Sequence, residues 1–486
     1  MVFNLCAVIL SEAKDLCISM DTQNNSVSSF ARRQAAAKIV DTLRSAGHSA
    51  YFAGGCVRDL LLGREPADYD VATSATPEVV LAMFPRAFSV GAHFGVVLVA
   101  TETADGTGSE ERAEILTEVA TYRSDGSYSD GRRPDSVRYT TSAQQDVLRR
   151  DFTVNGMLLD PEKLASGDIS IAVLDYVGGL HDLRAGVIRA IGDPAQRFAE
   201  DKLRMLRAVR FAARLDFAIE EATLQAVRAA AHQIDRVSQE RVRDELTRML
   251  TEGAARRAFE MIQATGLLRQ VLPEIERMRG VEQPPQYHPE GDVWTHTLML
   301  LEQLPAGCST ALAWGALLHD VGKPPTFRRA PERIRFDGHV EVGVRMAEEI
   351  CRRLRMSNTE TAQILELVAN HMRFGDVKNM RASTLKRFFR LPKFEEHLAL
   401  HRMDCQASHR DLSLYKFARE HYDAIEPEHI RPKPLLNGDD LIAAGYRPGP
   451  QFKPMLELAE DAQLEGGIDT REQALELIQR TFPSPQ

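Results

Sequence analysis

The chain is poor in the features that would place it in a membrane or an oxidising compartment. Its 486 residues hold six cysteines (Cys6, Cys17, Cys56, Cys308, Cys351 and Cys405), and no two form a C-x-x-C pair. That spacing offers neither a disulfide framework nor a thiolate zinc site, and it suits a reduced, cytoplasmic setting. No apolar run approaches the length of a membrane span. Positive charge is in deficit: 60 Lys and Arg face 69 Asp and Glu, a formal net charge of -9. A protein coated in basic charge is therefore excluded, and any nucleic-acid contact has to come from a local basic patch. No internal repeat is visible, which argues against a solenoid or propeller.

The length suffices for about three domains with sizeable cores. At the N-terminus, the apolar part of MVFNLCAVIL is short, lacks a basic n-region and shows no small-residue cleavage site, so a signal peptide is not expected. SMDTQNNSVSSF is polar. Residues 1–29 are expected to be a disordered extension or an over-extended reading frame, with Met20 as the start. Residues 30–180 mix helices and strands: ARRQAAAKIVDTLRSAG reads as a helix stopped by Gly47, FSVGAHFGVVLVA and EILTEVATYR as strands, and TETADGTGSEER as a hairpin loop. Residues 181–282 are helical after Asp193-Pro194, with RFAEDKLRMLRAVRFAARL read as one helix. The Pro-rich VEQPPQYHPEGD opens a second helical block, 283–425, which holds most of the histidines. IEPEHIRPKP is a linker, and 426–486 form a helical tail with GYRPGP as its turn. The fold class is α+β, with a mixed head followed by all-α parts.

The densest chemistry lies in YFAGGCVRDLLLGREPADYD, Tyr51–Asp70. On an extended strand, residues i and i+2 project from one face, so Asp68 and Asp70 are expected to point together. Two carboxylates at one spot suit Mg2+, which prefers oxygen ligands. Gly54 and Gly55 permit a tight turn whose N–H groups cradle an anion, and Arg58 is placed to add a charge-assisted phosphate contact. RRDFTVNG supplies Arg150 for phosphate, with Asp151 and Asn155 able to grip sugar hydroxyls. In AEDKLR, Asp201 and Arg204 stand at i, i+3. A carboxylate beside a guanidinium complements the amino donor and ring-nitrogen acceptor shared by cytosine and adenine, and not the reverse order in guanine and uracil. Each fragment alone also has an ordinary reading. A lone Asp-x-Asp is usually a solvated turn, RRDFTVNG a capped helix with surface ion pairs, and Asp201/Arg204 a helix-surface pair worth ~0.2–0.5 kcal/mol.

The conjunction decides. GGCVRD with DYD, RRDFTVNG, AEDKLR and ERVRDE (240–245) follow one another as in class II tRNA nucleotidyltransferases and bacterial poly(A) polymerases, which residues 30–275 resemble. The resemblance implies a polymerase-β-like nucleotidyltransferase head followed by a helical neck and body. It assigns Asp68 and Asp70 to two Mg2+ ions, and Gly54, Gly55 and Arg58 to the triphosphate. Arg150, Asp151 and Asn155 would contact nucleotide sugar and phosphate. Glu200, Asp201 and Arg204 would form the base-selecting template, with Glu240, Arg241 and Glu245 bracing the neck helix behind it. Gly156 stands where that family usually has alanine. Glu118, on EILTEVATYR, is a candidate third metal-facing carboxylate, an exposed strand residue being the alternative. A basic strip of Arg197, Arg204, Arg207, Arg210 and Arg214 is expected to meet RNA, with some members buried.

A second constellation follows residue 283. ALAWGALLHDVGKP reads as an apolar helix ending in His-Asp, with Gly322 as terminator. Imidazole plus carboxylate suits a divalent transition metal. His296, His319, Asp320 and Asp404 match the H…HD…D pattern of the HD phosphohydrolase superfamily, and His339 and His371 could complete a second metal position. The run HPEGDVWTHT is similar to HD-bearing tRNA nucleotidyltransferases. This resemblance implies an all-α domain with phosphatase or 2′,3′-cyclic phosphodiesterase chemistry.

Addition of CCA to tRNA 3′ ends from CTP and ATP is the expected activity, with no membrane partner. Poly(A) polymerases and A-only or CC-only enzymes share these motifs, but FSVGAHFGVVLVA lacks the basic character of the poly(A) branch. A phosphohydrolase or RNA-binding protein with an inactive head is disfavoured, because a decayed site should lose its clustered charges first.

Overall fold

The structure, a computed structural model, describes residues 28–91, 95–102, 114–126, 137–166, 168–331, 333–426 and 430–483. The expected extension with Met20 lies outside them except for Ser28 and Ser29, which cap and open the first helix. The fold is a mixed sheet with helices followed by a mostly helical remainder. Two compact units form: one from the described residues up to Ser238 with Ala264–Gln270, the other from Gln239–Gln263 and Val271 onward.

The first unit begins with α1 (Ser29–Ser45), started by the Ser28 hydroxyl accepting from the Ala31 N–H at 3.2 Å. Its apolar stripe Ala35, Ala36, Ile39, Val40 and Leu43 is buried. Seven strands form the sheet: β1 (Ala50–Ala53), β2 (Asp70–Thr73), β3 (Ala87–Gly91), β4 (Val96–Glu102), β5 (Glu114–Thr121), β8 (Met157–Leu159) and β9 (Val173–Asp175). Their order is β3-β4-β5-β2-β1-β8-β9. Only β2 and β5 pair in parallel; the other neighbours are antiparallel. A separate ribbon joins β6 (Arg123–Asp125) to β7 (Val137–Tyr139). Along β5 the period of two buries Ile115, Thr117, Val119 and Thr121 and turns Glu118 to the open face.

Three sequence expectations change. FSVGAHFGVVLVA is not one strand but the antiparallel pair β3 and β4, broken at its glycines; the loop TETADGTGSEER lies largely outside the described residues. RRDFTVNG is not a capped helix: the helix before it, Ala143–Leu148, has ended, and Thr153–Asn155 form a single 3-10 turn. RFAEDKLRMLRAVRFAARL splits into α2 (Pro194–Glu200) and α3 (Arg204–Leu215). The break has a cause in Asp201, whose backbone is extended and whose Oδ1 accepts from the Leu203 N–H at 3.0 Å. Aspartate competes in this way for backbone donors at helix starts. Where the related family carries alanine, a Cβ on Gly156 would lie 2.9 Å from both Ile191 Cδ1 and Val177 Cγ2, so those side chains fill its place here.

The second unit is built on α4 (Gln239–Thr251), α5 (Val293–Leu301), α6 (Thr310–Leu318), α7 (His339–Arg353), α8 (Asn358–Asn370) and α9 (Phe394–Ala407). α6 is apolar all round and buried from Ala311 to Leu318, as an interior helix should be. Its Trp314 still finds a partner, donating Nε1–H to Thr247 Oγ1 at 2.9 Å. The tail packs Leu441, Tyr446, Met455 and Ile478 into a core of its own. The four described cysteines, Cys56, Cys308, Cys351 and Cys405, are free. Among the described residues, no helix is long and apolar enough to cross a membrane.

Candidate active site

In the first unit, antiparallel register sets Ala53 opposite Asp70, so the chain turns at Gly54 directly beside that carboxylate. Gly54 has φ 73° and ψ -130°, a backbone that disfavours side chains. A Cβ there would sit 3.6 Å from Arg150 Nη1 and 3.9 Å from Asp70 Oδ2. Asp70 thus faces the glycine turn, as does Arg150. Asp68 lies just before β2 rather than on it, which corrects the expectation of a shared strand. The alternation nevertheless persists: Tyr69 is buried edge-on against Phe52, with ring centroids 5.4 Å apart, while Asp68 is exposed and Asp70 half-buried. One step back along the parallel register from Val71–Val119 stands Asp70 beside Glu118.

These three acids feel one another. Burial, then the charges of Glu118 and Asp68, push Asp70 up to about 7, with Arg150 working against the rise. Burial and Asp68 likewise raise Glu118. Mutual repulsion among oxygen-only donors is what a divalent cation relieves, so the residues fit Mg2+. The trio is more open than the close ligand groups found elsewhere among the described residues. That spacing suits an ion that keeps water and substrate oxygens in its shell.

Beneath the turn the remaining predicted residues form a support. Arg58 is 3% exposed and spends its guanidinium on Asp59 and on Asn155 Oδ1, each at 2.8 Å. It also lies over the Phe211 ring. Its Nη2 lies 3.6 Å from where a Cβ on Gly55 would sit, so the guanidinium also underlies the glycine turn. Asp151 and Asn155 are buried and joined by a 3.3 Å hydrogen bond, so they too sit under the site. Asp146, missed in the sequence, is buried and holds both Arg149 (2.6 Å) and Arg150 (3.0 Å). Its signal was its place one helical turn before the double arginine.

The residues expected to select the base flank the break between α2 and α3 and do not share one helical face. Glu200 Oε2 accepts from Arg204 at 2.9 Å and from Arg197 at 3.1 Å. Arg204 and Arg197 also both donate to the Arg149 carbonyl. The Arg204 amide donates to the Asp201 carbonyl at 3.1 Å, which keeps the two residues adjacent. The basic strip is largely absorbed into structure. Arg207 pairs with buried Asp151 at 2.6 Å, Arg210 is 3% exposed against Phe211, and Arg214 is exposed. Against burial, which pushes it up, Arg207 holds the Asp151 carboxyl below its ordinary range. Glu240, Arg241 and Glu245 fall on α4 in the second unit, where Glu240 pairs with Arg355 and Glu245 is buried.

In the second unit the HD residues converge. α5 carries His296, the end of α6 carries His319 and Asp320, α7 begins at His339, His371 follows α8, and α9 carries Asp404. His296 Nε2 lies 3.1 Å from Asp404 and 3.3 Å from His319 Nε2. Asp320 Oδ2 stands 3.2 Å from His319 Nε2, and its Oδ1 is 3.9 Å from His339 Nε2 and 3.8 Å from His371 Nε2. Every Nδ1 is anchored outward: His319 to Ala316 O, His339 to Phe336 O, His371 to Val368 O, and His296 to Glu290. Gly322 is required by close approach, since a Cβ there would lie 2.0 Å from the His339 carbonyl. Two ligand groups, His296/His319/Asp404 and Asp320/His339/His371, come from these residues, and a third, His288/Glu290/His296, adjoins them. The buried Nε2 atoms of His339 and His371 have no hydrogen-bond partner. Burial and His319 push His371 down to about 4, so it offers a free lone pair. The donor set fits a divalent transition metal. Sequence reading missed Glu290 and His288, although both lie in the quoted run HPEGDVWTHT, and did not use Lys323, which bonds Asp320 at 2.7 Å.

Comparison with known proteins gives the family. Residues 50–189 match the poly A polymerase head domain, 216–278 a probable RNA- and SrmB-binding site of polymerase A, and 292–408 the HD domain. The chain is 30% identical over 440 residues to the CCA-adding enzyme of Bacillus pumilus, covering 90% of this chain and 94% of that one. A match to the Geobacillus stearothermophilus CCA-adding enzyme is 40% identical over 234 residues, 48% of this chain and 53% of that enzyme. The crystal structure of the Bacillus stearothermophilus CCA-adding enzyme in complex with CTP superposes with TM-score 0.67 at 26% identity, covering 92% of this chain and 97% of that one. The Thermotoga maritima CCA-adding enzyme complexed with tRNA shares the fold at TM-score 0.54 and 18% identity, covering 92% and 95%. With the catalytic head, the helical remainder and a full-length relative all agreeing, the chain belongs to the CCA-adding enzyme family of nucleotidyltransferases.

Proposed function

We propose that this protein adds C, C and A in turn to the 3′ end of tRNA, from CTP and ATP, without a nucleic-acid template. The observation that carries the reading is the meeting of Asp68, Asp70 and Glu118 beside the Gly54 turn, with Arg150 opposite. The terminal RNA hydroxyl attacks the α-phosphorus, the bond to the β-phosphate oxygen breaks, and pyrophosphate leaves. Mg2+ held by Asp68 and Asp70 would activate the hydroxyl and neutralise triphosphate charge. Arg150 supplies a fixed cation beside the turn, while Arg58, Asp146, Asp151 and Asn155 keep the turn and Arg150 in register. Asp201 and Arg204 select the base, with Glu200 setting the position of Arg204.

The division of labour follows the sequence: residues 30–180 catalyse, 181–282 select the base and meet RNA, 283–425 carry the HD centre and 426–486 form a tail. A cytoplasmic setting supplies tRNA and both nucleotides. An accessory metal-dependent phosphohydrolase activity in 283–425 is favoured by one observation, the convergence of four imidazole Nε2 atoms and two carboxylates. The test of the main reading offers purified protein a tRNA ending at its discriminator base. With CTP alone, two C should be added; with ATP also present, one A should follow and synthesis should stop. Unlimited A addition, or C addition that stops after the second residue with ATP present, refutes it.

A further inference from the structure

Of the four imidazoles at the HD centre, three anchor Nδ1 on a neutral backbone carbonyl, and only His296 uses a carboxylate. Glu290 Oε1 accepts from His296 Nδ1 at 2.7 Å. The same oxygen lies 2.9 Å from His288 Nδ1, and the His288 ring stands edge-on to His296 with centroids 5.0 Å apart. The Glu290 side chain is 4% exposed, and its second oxygen, Oε2, is buried with no partner. A carboxylate this enclosed costs free energy unless something uses its charge. His296 itself is 0% exposed and turns Nε2 toward Asp404 and His319.

We propose that Glu290 is a positioning residue for the HD metal centre: it fixes His296 with the proton on Nδ1 and raises the donor strength of Nε2, while His288 holds Glu290 in place. The inference rests on the reading of this cluster as a metal centre. Its physical basis is general. A carboxylate accepting from the far side of an imidazole orients the ring and makes the near nitrogen a stronger ligand. The arrangement would make His296 the strongest neutral donor of the set, and His288 an indirect contributor through one shared oxygen.

The test uses the full chain, stripped of metal by chelation and titrated with Co2+ alone, followed by calorimetry and by the visible absorption of nitrogen-ligated cobalt. Wild type should show a tight phase with that absorption, and His319→Ala should lack it. Glu290→Gln, which keeps an oxygen acceptor but loses the charge, should weaken the tight phase about ten- to a hundred-fold. His288→Ala should weaken it less and in the same direction. Thermal unfolding of the metal-free variants serves as a control for folding, and Glu290→Asp should recover part of the affinity. An unchanged Co2+ affinity in folded Glu290→Gln overturns the inference while leaving the metal centre standing. Absence of any phase that His319→Ala removes overturns the metal reading, and this inference with it.

Discussion

Replacing Asp70 with Asn should make the metal-free protein more stable and the enzyme nearly inactive. The side chain sits half-buried between Glu118 and Asp68, and in the folded state its carboxyl titrates at about 7, against an ordinary value of 3.8. Because the folded value lies above the unfolded one, the folded protein binds more protons, and stability is lost as pH rises through the window from about 4 to about 7. That gap, at about 1.4 kcal/mol per pH unit, sets a ceiling of about 4 kcal/mol. Solvent reaches the group, so a discounted gain of ~1–2 kcal/mol is expected for Asp70→Asn at pH 8. Urea unfolding at pH 5 and pH 8 without divalent ions measures it: wild type should be less stable at pH 8, and the variant should flatten the difference. Adding Mg2+ should restore wild type at pH 8 and do little for the variant. Nucleotide addition should fall about a thousand-fold, as loss of several kcal/mol of charge stabilisation implies. A variant that stays active, or whose pH dependence of stability matches wild type, would refute the reasoning.

Other outcomes follow from the same structure. Asp201→Ala should relax the choice of C and A over G and U more than it slows addition, and wild-type selectivity in misincorporation assays would remove the template role. Arg207→Ala leaves Asp151 buried without its charge partner, so a loss of about 3–5 kcal/mol is expected on thermal or urea unfolding. The salt dependence of tRNA binding should change little in that variant, because Arg207 faces Asp151 and not phosphate. His319→Ala should abolish metal-dependent hydrolysis of a 2′,3′-cyclic phosphate while CCA addition persists; equal loss of both activities would contradict separate centres.

Much of the catalytic head was legible because its chemistry is local. The glycine turn, the Asp-x-Asp and the strand carrying Glu118 are each set by spacing of two or by backbone freedom. What brought Glu118 to Asp70 was the parallel β2–β5 pairing, a contact between distant segments that no local pattern encodes. The HD centre was legible residue by residue because histidine beside aspartate at the end of an apolar helix is unusual. Its outward anchors were not: Glu290 lies in the Pro-rich VEQPPQYHPEGD, which reads as a domain boundary. The arginines were expected to be buried in part, and which of them are was not legible. Regular spacing of Arg197, Arg204, Arg207 and Arg210 resembles an RNA-facing strip, yet buried Asp151, Glu200, Phe211 and the Arg149 carbonyl claim most of them. The single helix expected through Asp201 failed because that aspartate ends the first helix in an extended backbone and accepts from the Leu203 N–H just ahead of the second.

The most direct measurement is anomalous diffraction from crystals grown with Mn2+ in place of Mg2+ and a non-hydrolysable CTP analogue. Manganese peaks bounded by the Asp68 and Asp70 carboxylates, with the triphosphate against the Gly54–Gly55 turn, are the expected result. A triphosphate bound elsewhere, or no ion between those two side chains, would contradict the account.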